Sequence, residues 1–319
     1  MRYEGNVFRP PSEADSLLLQ VTIGCSHNRC GFCAMYRDKE FRVRKLAEVL
    51  EDIGAARDYY GTDVRRAFLC DGDAMVLPAA HLLKVLTALE ETFPDLQRVG
   101  IYANARDILK KDEDELRELV RHKLSVFYIG LESGSDRILA WIDKGATAAE
   151  MVEAVKKAQA AGMKSSVIYL LGLGGRKLWQ ENAIESARAV SQMNPNYLSA
   201  LTVTVIPGTP LAESMKPRIN TDEHRSGKPG LSRIAAASVR PGTVPGFPRF
   251  ELPSPEEFAL ELKLFLEHVD VKATVFRSNH ASNYVPLAGR LPKDKERLIA
   301  ELDSAIANHR FKPEYLRGL

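Results

Sequence analysis

The feature that most limits how this chain can fold is a regular alternation of two textures. Short, almost continuous apolar runs take turns with longer amphipathic stretches. LLLQVTIG, ending just before Cys25, is the first run, followed by RRAFLCDG (65–72), VGIYAN (99–104) and LSVFYIGLES (124–133). KSSVIYLLGLGG (164–175) and LSALTVTVIPG (198–208) complete the set. Each run closes on Gly, Asp, Asn or Pro, the pattern of strands buried on both faces. The stretches between them, 45–60, 79–92, 112–121, 148–161 and 177–192, favour helix, and Gly162 is a helix stop. Repeated β-α units with right-handed crossovers give a parallel α/β sheet, either open or curled into a barrel. Its functional face is where strand C-termini meet the following loops, and the polar motifs below all sit there.

The texture changes after residue 206. Residues 207–253 carry eight prolines, a stretch too long for an ordinary connection, and read as a lid, a substrate loop or disorder. A helix is expected at 254–268, a strand near 271–276 and a charged helix at 292–308. The expected division is an N-terminal segment (1–15), a core barrel (16–210), a Pro-rich lid or substrate loop (211–253) and a C-terminal α/β extension (254–319).

Composition excludes several classes. The charge is +2 from 44 basic and 42 acidic residues, which argues against a protein that lives on nucleic acid. No apolar run approaches the roughly 20 residues of a bilayer span, and the first residues lack the apolar core of a secretory signal. A cytoplasmic location is expected.

Four cysteines are present, and three of them, Cys25, Cys30 and Cys33, read C-x4-C-x2-C directly after the first apolar run. A disulfide framework does not suit a chain of this size with so few cysteines. Three thiolates on one loop can hold a cubic iron–sulfur cluster and leave one iron open to a small molecule. The alternative is zinc, with His27 or Cys70 completing a tetrahedral set. Cys70 lies within an apolar run, where a small buried thiol is ordinary.

GCSHNRCGFCAMY, placed between a strand and a helix, resembles the signature loop of the radical S-adenosylmethionine (radical SAM) superfamily. The usual spacing there is C-x3-C-x2-C with an aromatic residue before the last cysteine, a place Phe32 takes; this chain has one more residue between the first two cysteines. Further elements follow in family order over about residues 15–210. Asp71-Gly72-Asp73 resembles the Gly-Gly-Glu-like element that meets the amino group of the methionine moiety. Asn104 resembles the end of a Glu-Ala-Asn element, with Tyr102 in place of the acid. GLESGSDRILAWIDKG is similar to coproporphyrinogen-oxidase-like and methylthiotransferase-like members, which implies that Glu132 faces the cofactor and Lys144 pairs with its carboxylate. YLLGLGG resembles the segment against adenine and ribose, implicating Leu170 and Gly172, although Ile168 replaces an acid and Gly174 a proline. Taken singly, the glycines also read as strand-to-helix turns, Glu132 as a helix-start charge and Lys144 as a solvated helix-end lysine.

The resemblance implies a partial (β/α)6 TIM-like barrel of parallel strands with a C-terminal extension, binding one [4Fe-4S] cluster and S-adenosyl-L-methionine (SAM). It implies an oxygen-sensitive enzyme in which an electron from the cluster cleaves SAM to methionine and a 5′-deoxyadenosyl radical that abstracts hydrogen. An electron donor such as flavodoxin or ferredoxin and a small-molecule substrate are the partners so implied. Four cysteines cannot ligate a second full cluster, which argues against methylthiotransferases and auxiliary-cluster enzymes. Rearrangement, elimination, oxidation, decarboxylation or two-SAM methyl transfer remain. A non-catalytic iron–sulfur or haem-handling protein on the same fold and a zinc-stabilised binding protein are the rival readings. Arg277, Asn279, His280, Asn283 and Tyr284, crowded after a predicted strand, are substrate-contact candidates or a surface turn. Lys216, Arg218, Arg225, Lys228, Arg233, Arg240 and Arg249 either steer an anionic substrate or solvate a loop.

Overall fold

A computed structural model describes residues 1–215 and 249–318. Most of the Pro-rich stretch, and its basic residues other than Arg249, lie outside the described residues. The chain runs β1 (Leu17–Gln20), β2 (Thr22–Ile23), β3 (Arg42–Val43), α1 (Leu46–Tyr60), β4 (Arg66–Cys70), α2 (Ala79–Thr92) and β5 (Arg98–Tyr102). It continues with α3 (Ala105–Leu109), α4 (Glu113–Arg121), β6 (Leu124–Glu132), α5 (Asp136–Trp141), α6 (Ala148–Ala160) and β7 (Lys164–Leu171). Then come α7 (Gly175–Met193), β8 (Tyr197–Thr202), α8 (Pro210–Met215), α9 (Pro255–His268), β9 (Thr274–Arg277), β10 (Ala288–Leu291) and α10 (Lys295–Ala307).

Eight strands form one sheet in the order β1-β4-β5-β6-β7-β8-β9-β10. All neighbours are parallel except the last pair. Every parallel strand is laid beside its predecessor, so right-handed crossovers put the helices on one face, the winding of a partial barrel. Strand alternation then divides the core. Ala67 and Leu69 of β4 join the large cluster under the helices. Phe68 and Cys70 point the other way, into an inner cluster with Val126 and Tyr128 against which Tyr102 packs. Phe68 meets the Tyr102 and Tyr128 rings edge-on at 4.9 and 5.6 Å. Buried Glu13 closes this inner face, accepting from Tyr128 Oη at 2.5 Å and pairing with Arg98 at 2.9 Å.

Three of the helices begin at reciprocal side-chain caps that satisfy free N–H groups. Asp112 with Glu115, Thr147 with Glu150 and Ser254 with Glu257 form capping boxes for α4, α6 and α9. Three expectations need correction. The first apolar run is not one strand: after Val21 the chain leaves β4 and pairs Thr22–Ile23 with Arg42–Val43, a ribbon that closes the loop between them. The last helix starts at Lys295 rather than 292. The short helices α3 and α5 and the antiparallel strand β10 were not anticipated, being too short for periodicity to register. The C-terminal extension continues the main sheet, with Tyr197, Leu198 and Ser199 of β8 opposite Val275, Phe276 and Arg277 of β9. Among the described residues no helix is long and apolar enough to cross a membrane.

Candidate cluster and cofactor site

The loop closed by the β2–β3 ribbon carries Cys25, Cys30 and Cys33, all free and partly exposed. Its base is fastened by Asp71 at the end of β4. Asp71 Oδ2 accepts from Gly24 N at 2.9 Å, Lys39 Nζ at 2.8 Å and Gln20 Nε2 at 2.9 Å. Its tip is shaped by Arg37, which donates to the Cys33 and Cys30 carbonyls, each at 2.8 Å. Gly31 N donates to Ile142 O at 2.6 Å, and Gly31 O accepts from Leu211 N at 2.9 Å, so both α5 and α8 abut the loop. Gly72 lets the loop approach: a Cβ there would stand 2.9 Å from Cys25 Cβ and 2.6 Å from the Tyr36 ring.

Behind the cysteines, Lys144 Nζ lies 2.9 Å from Glu132 Oε1, with each side chain only 11% exposed. Glu132 has φ +61°, and Gly130 supplies the space, since a Cβ there would lie 1.8 Å from Glu132 Oε1. Burial opposes the Lys144 charge, but Glu132 and then Cys30 outweigh it, and its pKa is raised. Burial pushes the Cys30 thiol up to about 12 against the pull of Lys144, and raises Cys33 as well. Bound iron would add to the pull of Lys144 a stronger cation that favours the thiolate.

Asp73 is fully buried. Its carboxylate accepts from Ser26 Oγ and, at 3.2 Å, from Asn104 N. Burial first and neighbouring Asp107 second push it up to about 7. Asn104 follows β5, and its Nδ2 is buried with no partner within the protein. A small pocket opens here, lined by His27, Asn104, Arg106, Gly130, Lys144 and Met151. His27 Nε2 meets the Asp143 carbonyl at 2.6 Å; a carbonyl only accepts, so that nitrogen carries the proton. Phe32 packs on the edge of the main core, and Leu170 is buried within β7.

Gly172 follows β7 with φ +86°. It is held from an unexpected quarter, as both oxygens of Glu261 on α9 accept from Gly172 N at 3.1 and 3.0 Å. The C-terminal candidates divide. Asn283 is consumed internally, accepting from Thr202 N at 2.6 Å and donating to Ala200 O and Ser278 O, each at 2.8 Å. Tyr284 donates to Glu314 at 2.8 Å, with the Arg317 guanidinium 3.9 Å from the ring centroid. His280 Nδ1 meets Ser282 Oγ at 2.9 Å, while Arg277 and Asn279 are exposed.

The strand ends thus bring Gly72, Asp73, Asn104, Glu132 and Lys144 around the cysteine loop. Sequence reasoning left two supports unassigned. Asp71 was quoted only as part of a motif, and Glu261 was missed although it shares the helical face of Phe258, Leu262 and Phe265, where a carboxylate is out of place. The donor set suits an iron–sulfur cluster. His27 Nε2 is engaged with the Asp143 carbonyl and Cys70 belongs to the inner core, so neither completes a tetrahedral set with the three loop cysteines.

The family described as the radical SAM superfamily matches residues 19–187. A tRNA-2-methylthio-N(6)-dimethylallyladenosine synthase of Pseudomonas fluorescens is 25% identical over 251 residues, 72% of this chain and 55% of that protein. An uncharacterized methyltransferase of Pyrococcus horikoshii is 22% identical over 198 residues, 61% of this chain and 41% of that protein. The chain spans about half the length of the curated relatives it matches. Among solved structures, methylornithine synthase superposes with a TM-score of 0.50 at 15% identity, covering 90% of this chain and 68% of that one, a likeness of fold alone. A family whose cofactors are a [4Fe-4S] cluster and SAM thus matches more than half of the residues, its cysteine loop and strand ends among them, and the chain belongs to the radical SAM superfamily.

Proposed function

We propose that this protein is a cytoplasmic, single-cluster radical SAM enzyme that abstracts hydrogen from a small-molecule substrate. The observation that carries the proposal is the buried Glu132–Lys144 pair beside the three-cysteine loop. A charge pair removed from water costs more than an apolar pair of the same volume, so its place at a strand end beside free thiols points to a ligand. Cys25, Cys30 and Cys33 would hold the cluster, with SAM bound beside it. When bound, cluster and SAM supply reductive cleavage of a C–S bond and a primary carbon radical.

The residues of this chain orient and exclude. Lys144, held by Glu132, presents a fixed cation to the SAM carboxylate. Asn104 Nδ2, buried and unpartnered, offers a donor to the nucleoside side of the pocket. The Gly172 turn allows backbone approach to adenine and ribose. Phe68, Tyr102 and Tyr128 fill the inner face and keep water from it. Arg277, the exposed last residue of β9, and Asn279, exposed just beyond it, are the substrate contacts of this proposal. Arg277→Ala is expected to abolish product while sparing uncoupled SAM cleavage.

A second reading, modification of tRNA, is favoured by the names of the curated relatives. Within these 319 residues the cysteines beyond the loop reduce to Cys70, fully buried in β4, so this stretch offers the thiols of one cluster. The test is anaerobic reconstitution with iron and sulfide, reduction with SAM present, and an assay for 5′-deoxyadenosine. Its formation, and its loss in Cys30→Ala, is expected. A bound cluster without 5′-deoxyadenosine would move the assignment to a non-catalytic cluster protein.

A further inference from the structure

Two residues one turn apart on α9 close on the same glycine. The Phe258 ring fills the space beside Gly172, where a Cβ would come within 2.2 Å of Cε1. Glu261 takes the Gly172 N–H with both oxygens. Its Oε1 also accepts from Tyr169 Oη at 2.8 Å and Asn182 Nδ2 at 2.7 Å. Asn182 extends the chain of bonds, because its Oδ1 accepts from Ser133 Oγ at 2.5 Å. Ser133 adjoins Glu132, and its Oγ also receives the Ser135 N–H at 3.1 Å. One buried carboxylate therefore fastens the turn after β7 and, through Asn182, the turn after β6. The segment leading into α9 covers the same turn: Glu251 O accepts from Arg176 N at 3.0 Å, and Phe250 stacks on Trp141 with centroids 5.4 Å apart.

Helix packing alone does not call for this carboxylate. Its neighbours on the face, Phe258, Leu262 and Phe265, are apolar and buried, and a leucine at 261 would avoid the desolvation cost. Every hydrogen bond the carboxylate receives comes from the strand end and helix that flank the turn. Glu261 lies beyond residue 187, where the match to the family ends.

We infer that Glu261 is a positioning residue for SAM, holding the Gly172 turn and the Glu132 turn in one fixed relation so that the nucleoside and methionine ends of SAM are gripped together. The inference rests on the reading above that these two turns receive SAM. It adds that the grip is set from outside the family-matched region, by a helix that follows the Pro-rich stretch.

The test uses the full chain reconstituted anaerobically with iron and sulfide, with three readouts: iron and sulfide per chain, thermal midpoint, and SAM affinity by equilibrium dialysis. Glu261→Gln keeps the shape but sets an NH2 group among donors. It is expected to weaken SAM binding about tenfold or more, the scale of a lost charge-assisted bond, with iron content unchanged. If that variant fails to fold, Phe258→Leu relaxes the wall behind Gly172 and is expected to weaken SAM binding while the cluster is retained. An unchanged SAM affinity in the folded variant overturns the inference alone. Parallel loss of iron and SAM binding also overturns it, since that is what a merely structural role would give. Absence of SAM binding by the wild-type protein overturns the reading of the turns, and the inference with it.

Discussion

Lys39 Nζ lies 2.8 Å from Asp71 Oδ2, with side-chain exposures of 5% and 0%, and the same oxygen takes the Gly24 N–H at 2.9 Å. A single carboxylate oxygen thus ties both ends of the cysteine loop to the end of β4. Removing one partner of a buried pair typically costs about 3–5 kcal/mol, because the other charge is left without compensation. Lys39→Met is expected to lose stability on that scale and to retain less iron after reconstitution. Denaturant unfolding and iron per chain measure the two effects. Full iron content would show that the loop keeps its shape without the clasp.

Lys144 and Glu132 form a second buried pair, so the cost of breaking it should depend on which partner remains. Lys144→Met and Glu132→Gln are each expected to destabilise by roughly 3 kcal/mol. The double variant should lose less than the sum, with a coupling of about 1–3 kcal/mol. Both variants should also bind SAM weakly, which unfolding data alone would not reveal. Additive losses in the cycle would mean that the two side chains act independently.

The order of strands and most helices was legible because their apolar patterns run long enough to fix a period. The helix expected at 79–92 is found at Ala79–Thr92, and that expected at 254–268 at Pro255–His268. The two-residue strands β2 and β3 and the single-turn helix α5 carry too little pattern of their own, and they exist because tertiary partners hold them. The cysteines stood out by their spacing, and Gly72 and Glu132 through the resemblance of their strand ends to the family's; the structure sets Gly72 against Cys25 and Glu132 against Lys144. The supports were not legible. That Asp71 faces Lys39, or that Glu261 reaches Gly172 from another helix, depends on pairing between segments distant in the chain, which local pattern does not encode.

Gly72 makes a sharper test of the site than of the fold. A methyl group there meets Cys25 Cβ at 2.9 Å and the Tyr36 ring at 2.6 Å, and neither neighbour is the free end of a flexible side chain. Overpacking of this kind costs about 1–3 kcal/mol. Gly72→Ala is therefore expected to push the cysteine loop away from β4 and to lower iron retention more than overall stability. Iron and sulfide analysis beside thermal unfolding would show it. A variant with full cluster content would mean that the loop yields to the methyl group at no cost to its ligand geometry.

Glu261 should leave a signature in the pH dependence of stability. Burial pushes its pKa up to about 7 from the usual 4.5, against the opposing bonds from Tyr169, Gly172 and Asn182. Below pH ~4.5 it is protonated in both folded and unfolded chains and contributes no pH dependence. Between pH ~4.5 and ~7 the folded state keeps a proton that the unfolded state has lost, so stability falls as pH rises. Above that window the loss is complete, on the order of 3 kcal/mol at 1.36 kcal/mol per unit. The other titrating groups are shared with a Glu261→Gln variant, so the difference between the two proteins isolates this one. Wild type minus variant is expected to decline across pH 4.5–7 and then level off, measured by denaturant unfolding at each pH. A flat difference would mean that the donors around the carboxylate hold it ionised throughout, with its pKa close to that of the unfolded chain.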